Sequence, residues 1–130
     1  MRMLSRIFLC CACCLLAAPT AWAQQAAKSD SFHTEGVFSD ITASEGGDYG
    51  GMQVYLTDAD GQFYAAVTVA EGVPLPPVLV KVQVNVEERK IEFTLPGEGG
   101  GRKFTGVVAA DGLTLVEGKE RRFLKRKCYD

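Results

Sequence analysis

Histidine is almost missing from this chain: of 130 residues, only His33 is one. Cysteine is crowded at the start, where Cys10, Cys11, Cys13 and Cys14 lie together, and Cys128 is alone near the end. With one His and one Cys in the body of the chain, no His/Cys metal cluster can be assembled. A Ser-His-Asp triad would have to recruit His33, with Ser29, Ser31, Ser39 or Ser44 as nucleophile, and none of these serines sits in a nucleophile elbow. His33 therefore reads as an exposed histidine without a catalytic partner. Net positive charge is lacking too: 14 Lys and Arg stand against 16 Asp and Glu. A nucleic-acid binder needs a net basic face, so the balance argues against one. A helical period is absent everywhere after Ala23.

The first residues read as an address. Arg2 and Arg6 precede an uncharged apolar run over 7–18, and Ala21-Trp22-Ala23 has the small-x-small form of a cleavage site. That is the pattern of a secretory signal peptide, 1–23. The run is shorter than the ~20 residues a spanning helix needs. An uncleaved anchor and a lipoprotein are the alternatives, although Cys10-Cys11-Ala12 before Cys13 is a poor lipid-acceptor context. Residues 24–31 are small and polar, a loose leader to one domain over 32–130. The expected product is exported, periplasmic or secreted, and does not span a membrane after cleavage. It keeps 12 bases and 16 acids, and one thiol, so an internal disulfide framework is impossible. Cys128 is either a small side chain on the last strand or half of an intermolecular disulfide. A chain of this length builds one core.

What the chain does have is alternation. Valine fills every second place from Val78 to Val86, with Leu79, Lys81, Gln83 and Asn85 between. Successive strand side chains point to opposite faces, so this stretch is a strand with an all-valine face, expected in the core. Strands are predicted over 33–42, 52–57, 62–71, 78–86, 90–95, 103–109, 113–117 and 121–128. Residues 43–51 read as a loop with glycine breakers, Gly61 and Gly112 as hairpin positions, and 72–77 as a proline-stopped connection. Short connections make sequential neighbours antiparallel. Eight such strands predict an all-β, single, eight-stranded antiparallel up-and-down β-barrel, with a two-sheet β-sandwich as the alternative.

Motifs that could carry chemistry do not hold up. The glycine-rich 96–101 lacks the GKS/T ending and the following helix of a phosphate loop. Asp58-x-Asp60-Gly61 begins like a calcium loop but lacks the third ligand and the terminal Glu, and fits turn chemistry. Glu87 and Glu88 are adjacent in a turn and point apart. No catalytic residue, metal or cofactor is expected, and the chain reads as a non-enzyme.

Charge is unevenly distributed. Residues 24–77 hold one base and eight acids, while 78–130 hold 11 bases and eight acids. The last strand concentrates the bases. Arg121, Arg122, Lys125 and Lys127 are candidate partner-binding residues, for an envelope protein or an anionic headgroup, on a strand that could equally be a solvated neighbour of acids. The inward set Phe38, Val54, Val67, Val82, Phe93 and Val108, with Arg126, is the candidate lining for a small apolar or amphipathic ligand. Such a ligand needs a cavity of roughly 300 Å³ or more, and an eight-stranded barrel can also be filled by its own side chains.

Gly36-Val37-Phe38 on the first strand, with the basic last strand, resembles the calycin group: lipocalins, avidins and small bacterial relatives. Those families carry Gly-x-Trp on the first strand and an Arg or Lys of the last strand packed over the Trp; here Phe38 takes that place. The resemblance implies binding in a barrel mouth, in an exported envelope protein without catalysis. Its alternative is an envelope interaction or enzyme-inhibitor protein working through loops and the basic strand. A closed barrel makes the first and last strands neighbours, and the resemblance implies that Arg126 lies over the Phe38 ring, with Lys125 as the alternative.

Overall fold

A computed structural model describes residues 33–128. The predicted signal peptide, leader and Cys10 to Cys14 lie outside the described residues. Nine strands follow in order: β1 Gly36–Ser39, β2 Thr42–Ala43, β3 Tyr49–Ala59, β4 Gln62–Pro74, β5 Val78–Asn85, β6 Lys90–Leu95, β7 Arg102–Val108, β8 Gly112–Glu117 and β9 Glu120–Lys127. Each from β3 to β9 pairs antiparallel with the next, and β1 pairs with both β9 and β3. The sheet therefore closes as an eight-stranded antiparallel barrel with β2 as an extra short strand, and the two-sheet alternative falls away. Among the described residues no helix is long and apolar enough to cross a membrane.

Parity behaves as alternation requires. Met52, Val54 and Leu56 on β3, Ile91, Phe93 and Leu95 on β6, and Leu113 and Leu115 on β8 all turn inward and are buried. Phe93 stacks on Phe104 of β7 with ring centroids 5.2 Å apart. The β3–β4 turn is a two-residue hairpin with positive φ at both Asp60 and Gly61, the conformation whose twist matches the flanking strands. Asp58 Oδ1 accepts the Gly61 N–H at 2.9 Å and fixes it.

Three expectations need correction. The valine face is only partly core: Val82 is 2% exposed, Val80 and Val84 are half-buried, and Val78 and Val86 are exposed. Val78 opens the strand, and Val86 lies in the turn beyond its last residue, Asn85. The first strand is interrupted after Ser39. Asp40 carries both a backbone N–H···O bond to Met52 and a 2.6 Å side-chain bond from the Met52 N–H, and Ser39 Oγ accepts the Ile41 N–H. These side-chain bonds replace the ladder for two residues; β2 then resumes the same register on β3. The β3–β4 hairpin is longer than predicted at both ends. Gly72, at φ 83, lets β4 continue opposite Tyr49, and Pro74 ends it where no ladder donor is needed.

Candidate functional site

The end of the barrel where β1 begins is plugged. Arg126 is the direct partner of Phe38 across the β9–β1 pair, and its guanidinium carbon lies 4.6 Å from the Phe38 ring centroid. Its Nη1 donates to the Glu35 carbonyl, and its Nη2 to the His33 and Ala109 carbonyls, at 2.8–3.1 Å. Arg126 Nε is buried and has no hydrogen-bond partner. Gly36 makes the approach possible, since a Cβ there would stand 2.7 Å from Arg126 Nη1. The expected pairing of first and last strands, with Arg126 over Phe38, is what the barrel shows. Its role at this end is to tie the chain's entry, its last strand and the β7–β8 turn together.

The opposite mouth is narrowed by ion pairs. Arg102 Nε and Nη2 donate to the two carboxylate oxygens of Glu117 at 2.7 and 2.6 Å, in bidentate fashion. That hydrogen-bonded pair holds Glu117 below the usual carboxylate range and raises Arg102. Arg122 lies 3.5 Å from Asp40. The space between these groups, Met52, Phe104 and Leu115 is about 30 Å³, room for a water but not for an organic ligand.

The inward candidates share one core. Phe38, Val54, Val67, Val82, Phe93 and Val108 are each at most 3% exposed and pack in a single cluster. They come together as filling. The basic candidates on β9 do not come together, because parity splits them. Arg122, with Arg126, turns inward to the two barrel ends. Arg121, Lys125 and Lys127 are exposed on the outside, and Cys128 just beyond them is an exposed free thiol.

A broad concavity lies outside the wall. A groove of about 870 Å³ crosses the outer face of β5 to β8. The ladder aligns its lining in rows: Gln83, Glu92, Thr105, Val116 and Arg121 in one, and Asn85, Lys90, Val107 and Thr114 in the next. Valines and backbone make its floor, while amide, hydroxyl and charged groups rise from it. Glu92 is paired with Lys103 and Lys90 with Glu88. The side chains of Gln83, Thr105, Thr114 and Arg121 make no hydrogen bond or ion pair with the described chain. Sequence reading missed this site because it belongs to no segment. Its signal was the outward parity of four strands, rich in threonine and amides, once their offsets were known.

Charge is sorted on the same wall. Lys81, Lys90, Lys103, Arg121, Lys125 and Lys127 occupy outward strand positions against one acid, Glu92; the other described acids lie at turns, strand ends or the mouth. Among the described residues no group of three His, Cys, Asp or Glu side chains is placed to hold a metal. Comparison with known families, curated proteins and solved structures finds no match for this chain.

Proposed function

We propose that this chain is an exported, non-enzymatic binding protein of the cell envelope with a calycin-like barrel, and that its ligand lies in the outer groove over β5 to β8. The observation that carries this reading is the contrast between about 30 Å³ at the mouth and about 870 Å³ outside the wall. Small-molecule sites occupy ~300–1,000 Å³. The Arg126–Phe38 closure supports the calycin likeness, with Phe38 in the tryptophan's place.

The groove also favours a ligand chemistry. Beneath it β6, β7 and β8 each pair on both sides, so an added strand has no edge to pair with between them. Recognition must come from side chains. Hydroxyls of Thr105 and Thr114 and the amides of Gln83 and Asn85 suit a ligand dense in hydroxyl groups. Val107 and Val116 offer flat apolar area to its C–H faces. A linear oligosaccharide fits this combination. A titration of the isotope-labelled protein with a panel of linear tetrasaccharides tests it. Amide shifts should cluster at Gln83, Thr105 and Thr114, and Thr105→Val with Thr114→Val should weaken binding about tenfold, two hydrogen bonds' worth. Shifts confined to Met52 and Leu115 on adding an apolar ligand would return the site to the mouth and defeat the groove reading.

A further inference from the structure

The outward side of β9, with β1 and β3 beside it, is a separate surface that the groove does not use except at Arg121. Arg121, Phe123, Lys125 and Lys127 point outward along β9. Their cross-strand neighbours are uncharged. Val116 pairs with Arg121, Thr114 with Phe123, Gly112 and Ser39 with Lys125, and Val37 with Lys127. Beyond Val37 the row continues to Tyr55, which is 46% exposed. None of the three cationic side chains has an ion-pair partner in the described chain. The two arginines that do have partners on or near β1, Arg122 and Arg126, face inward.

Phe123 is 49% exposed, yet it is held. Its ring covers Gly112 diagonally across the β8–β9 pair so closely that a Cβ on Gly112 would collide with it. Such an aromatic covers a strand glycine from one side and leaves its other face to solvent. The surface is therefore a firm aromatic and apolar strip between three unpaired cations.

We propose that this face docks the protein on an anionic phospholipid surface. Lys and Arg near such a surface are attracted to it individually and additively, and long basic side chains reach headgroups while aromatic rings settle at the interface. The face carries a row of cations with no acid opposite them across the neighbouring strands. It needs only a sheet of negative charge, and it is complementary to one. The net acidic composition of the chain hides this, because the acids sit on the turns and ends. The proposal stands independently of the groove, since β9 would dock whether or not an oligosaccharide binds.

Vesicle co-sedimentation tests it, with protein purified after the expressing cell has processed its leader. Vesicles of phosphatidylcholine alone are compared with vesicles containing one third phosphatidylglycerol. Binding should require phosphatidylglycerol and fall steeply as salt is raised. Each neutralised charge among Arg121→Ala, Lys125→Ala and Lys127→Ala should weaken it about fivefold, and the triple variant about a hundredfold. The triple variant should keep the parent's melting temperature, because these side chains hold nothing in the fold. Lys81→Ala, on β5, should bind as the parent does. Equal binding to both vesicle types, an equal loss in Lys81→Ala, or binding to soluble polyglutamate but not to vesicles would overturn the proposal.

Discussion

β5 and the β9–β1–β3 seam make opposite impressions as sequence and as structure. β5 is the most regular stretch in the chain, yet only Val82 on it is fully buried. Of the seam strands, β1 and β9 alternate poorly, yet Phe38 and Leu124 on them are wholly removed from solvent. Alternation reports which way a side chain points. It does not report how deep the position lies, because depth depends on what the facing strand brings. On β5, Val78 is exposed although its cross-strand partner Val67 is buried, and Val86 lies beyond the strand's end. At the seam, Leu124 and Phe38 meet side chains from far along the chain.

The contrast can be broken most severely at the middle of β5. Val82→Asp buries an unpaired charge and should abolish cooperative thermal unfolding, whereas Gln83→Asp, one residue on and exposed, should stay within about 0.5 kcal/mol of the parent. Equal losses would mean that the inward parity of β5 is misassigned. Next comes a comparison of depth. Phe38→Ala should cost about 3–5 kcal/mol in denaturant unfolding, from lost transfer free energy and a cavity at the closed end. Val78→Ala, on the same nominally apolar face as Val82, should cost under about 0.5 kcal/mol. If Val78→Ala costs as much as Phe38→Ala, depth follows alternation after all.

The smallest effect lies at the mouth, between β7 and β8. The Glu117 pKa is lowered in the folded protein by its bond to Arg102. Stability from this pair is therefore full above the unfolded carboxylate value and is lost as pH falls through the lower folded value. The pair is partly exposed, so the loss should be under ~1 kcal/mol, appearing below about pH 4. Glu117→Gln should remove that acid step from a melting-temperature profile while leaving neutral-pH stability within the same margin. An unchanged acid step in the variant would show that other carboxylates produce it.

Much of the fold was legible because it is local. β6 occupies 90–95 as its Ile91, Phe93 and Leu95 alternation indicates, and the tight turns at Gly61 and Gly112 declare antiparallel neighbours. The closure was legible from Gly36, Phe38 and Arg126 taken together, and from no one of them. The break at Asp40 was not, since a single aspartate carries no mark that its carboxylate will take the Met52 N–H. The groove was invisible for a different reason. Thr105 and Val116 become neighbours only through strand offsets, and offsets are set by three-dimensional closure. The basic run is continuous in sequence, but its residues serve different ends: Arg122 and Arg126 face the barrel's two ends, and Arg121, Lys125 and Lys127 lie outside.

The seam also sets how this chain must reach its final form. Apart from the seam, every pairing joins strands adjacent in order, and each such hairpin can form in microseconds on its own. The seam is the exception: Arg126 reaches the Glu35 carbonyl across 91 positions of sequence. Closing so long a segment is entropically unfavourable until the contacts are made, so folding speed should be governed by this one event. Until then the sheet is an open ribbon with β9 bare along one edge, and an open edge is where two chains can pair with each other instead. The guanidinium of Arg126 thus acts as a latch in time as well as in space, shortening the interval in which the ribbon is vulnerable.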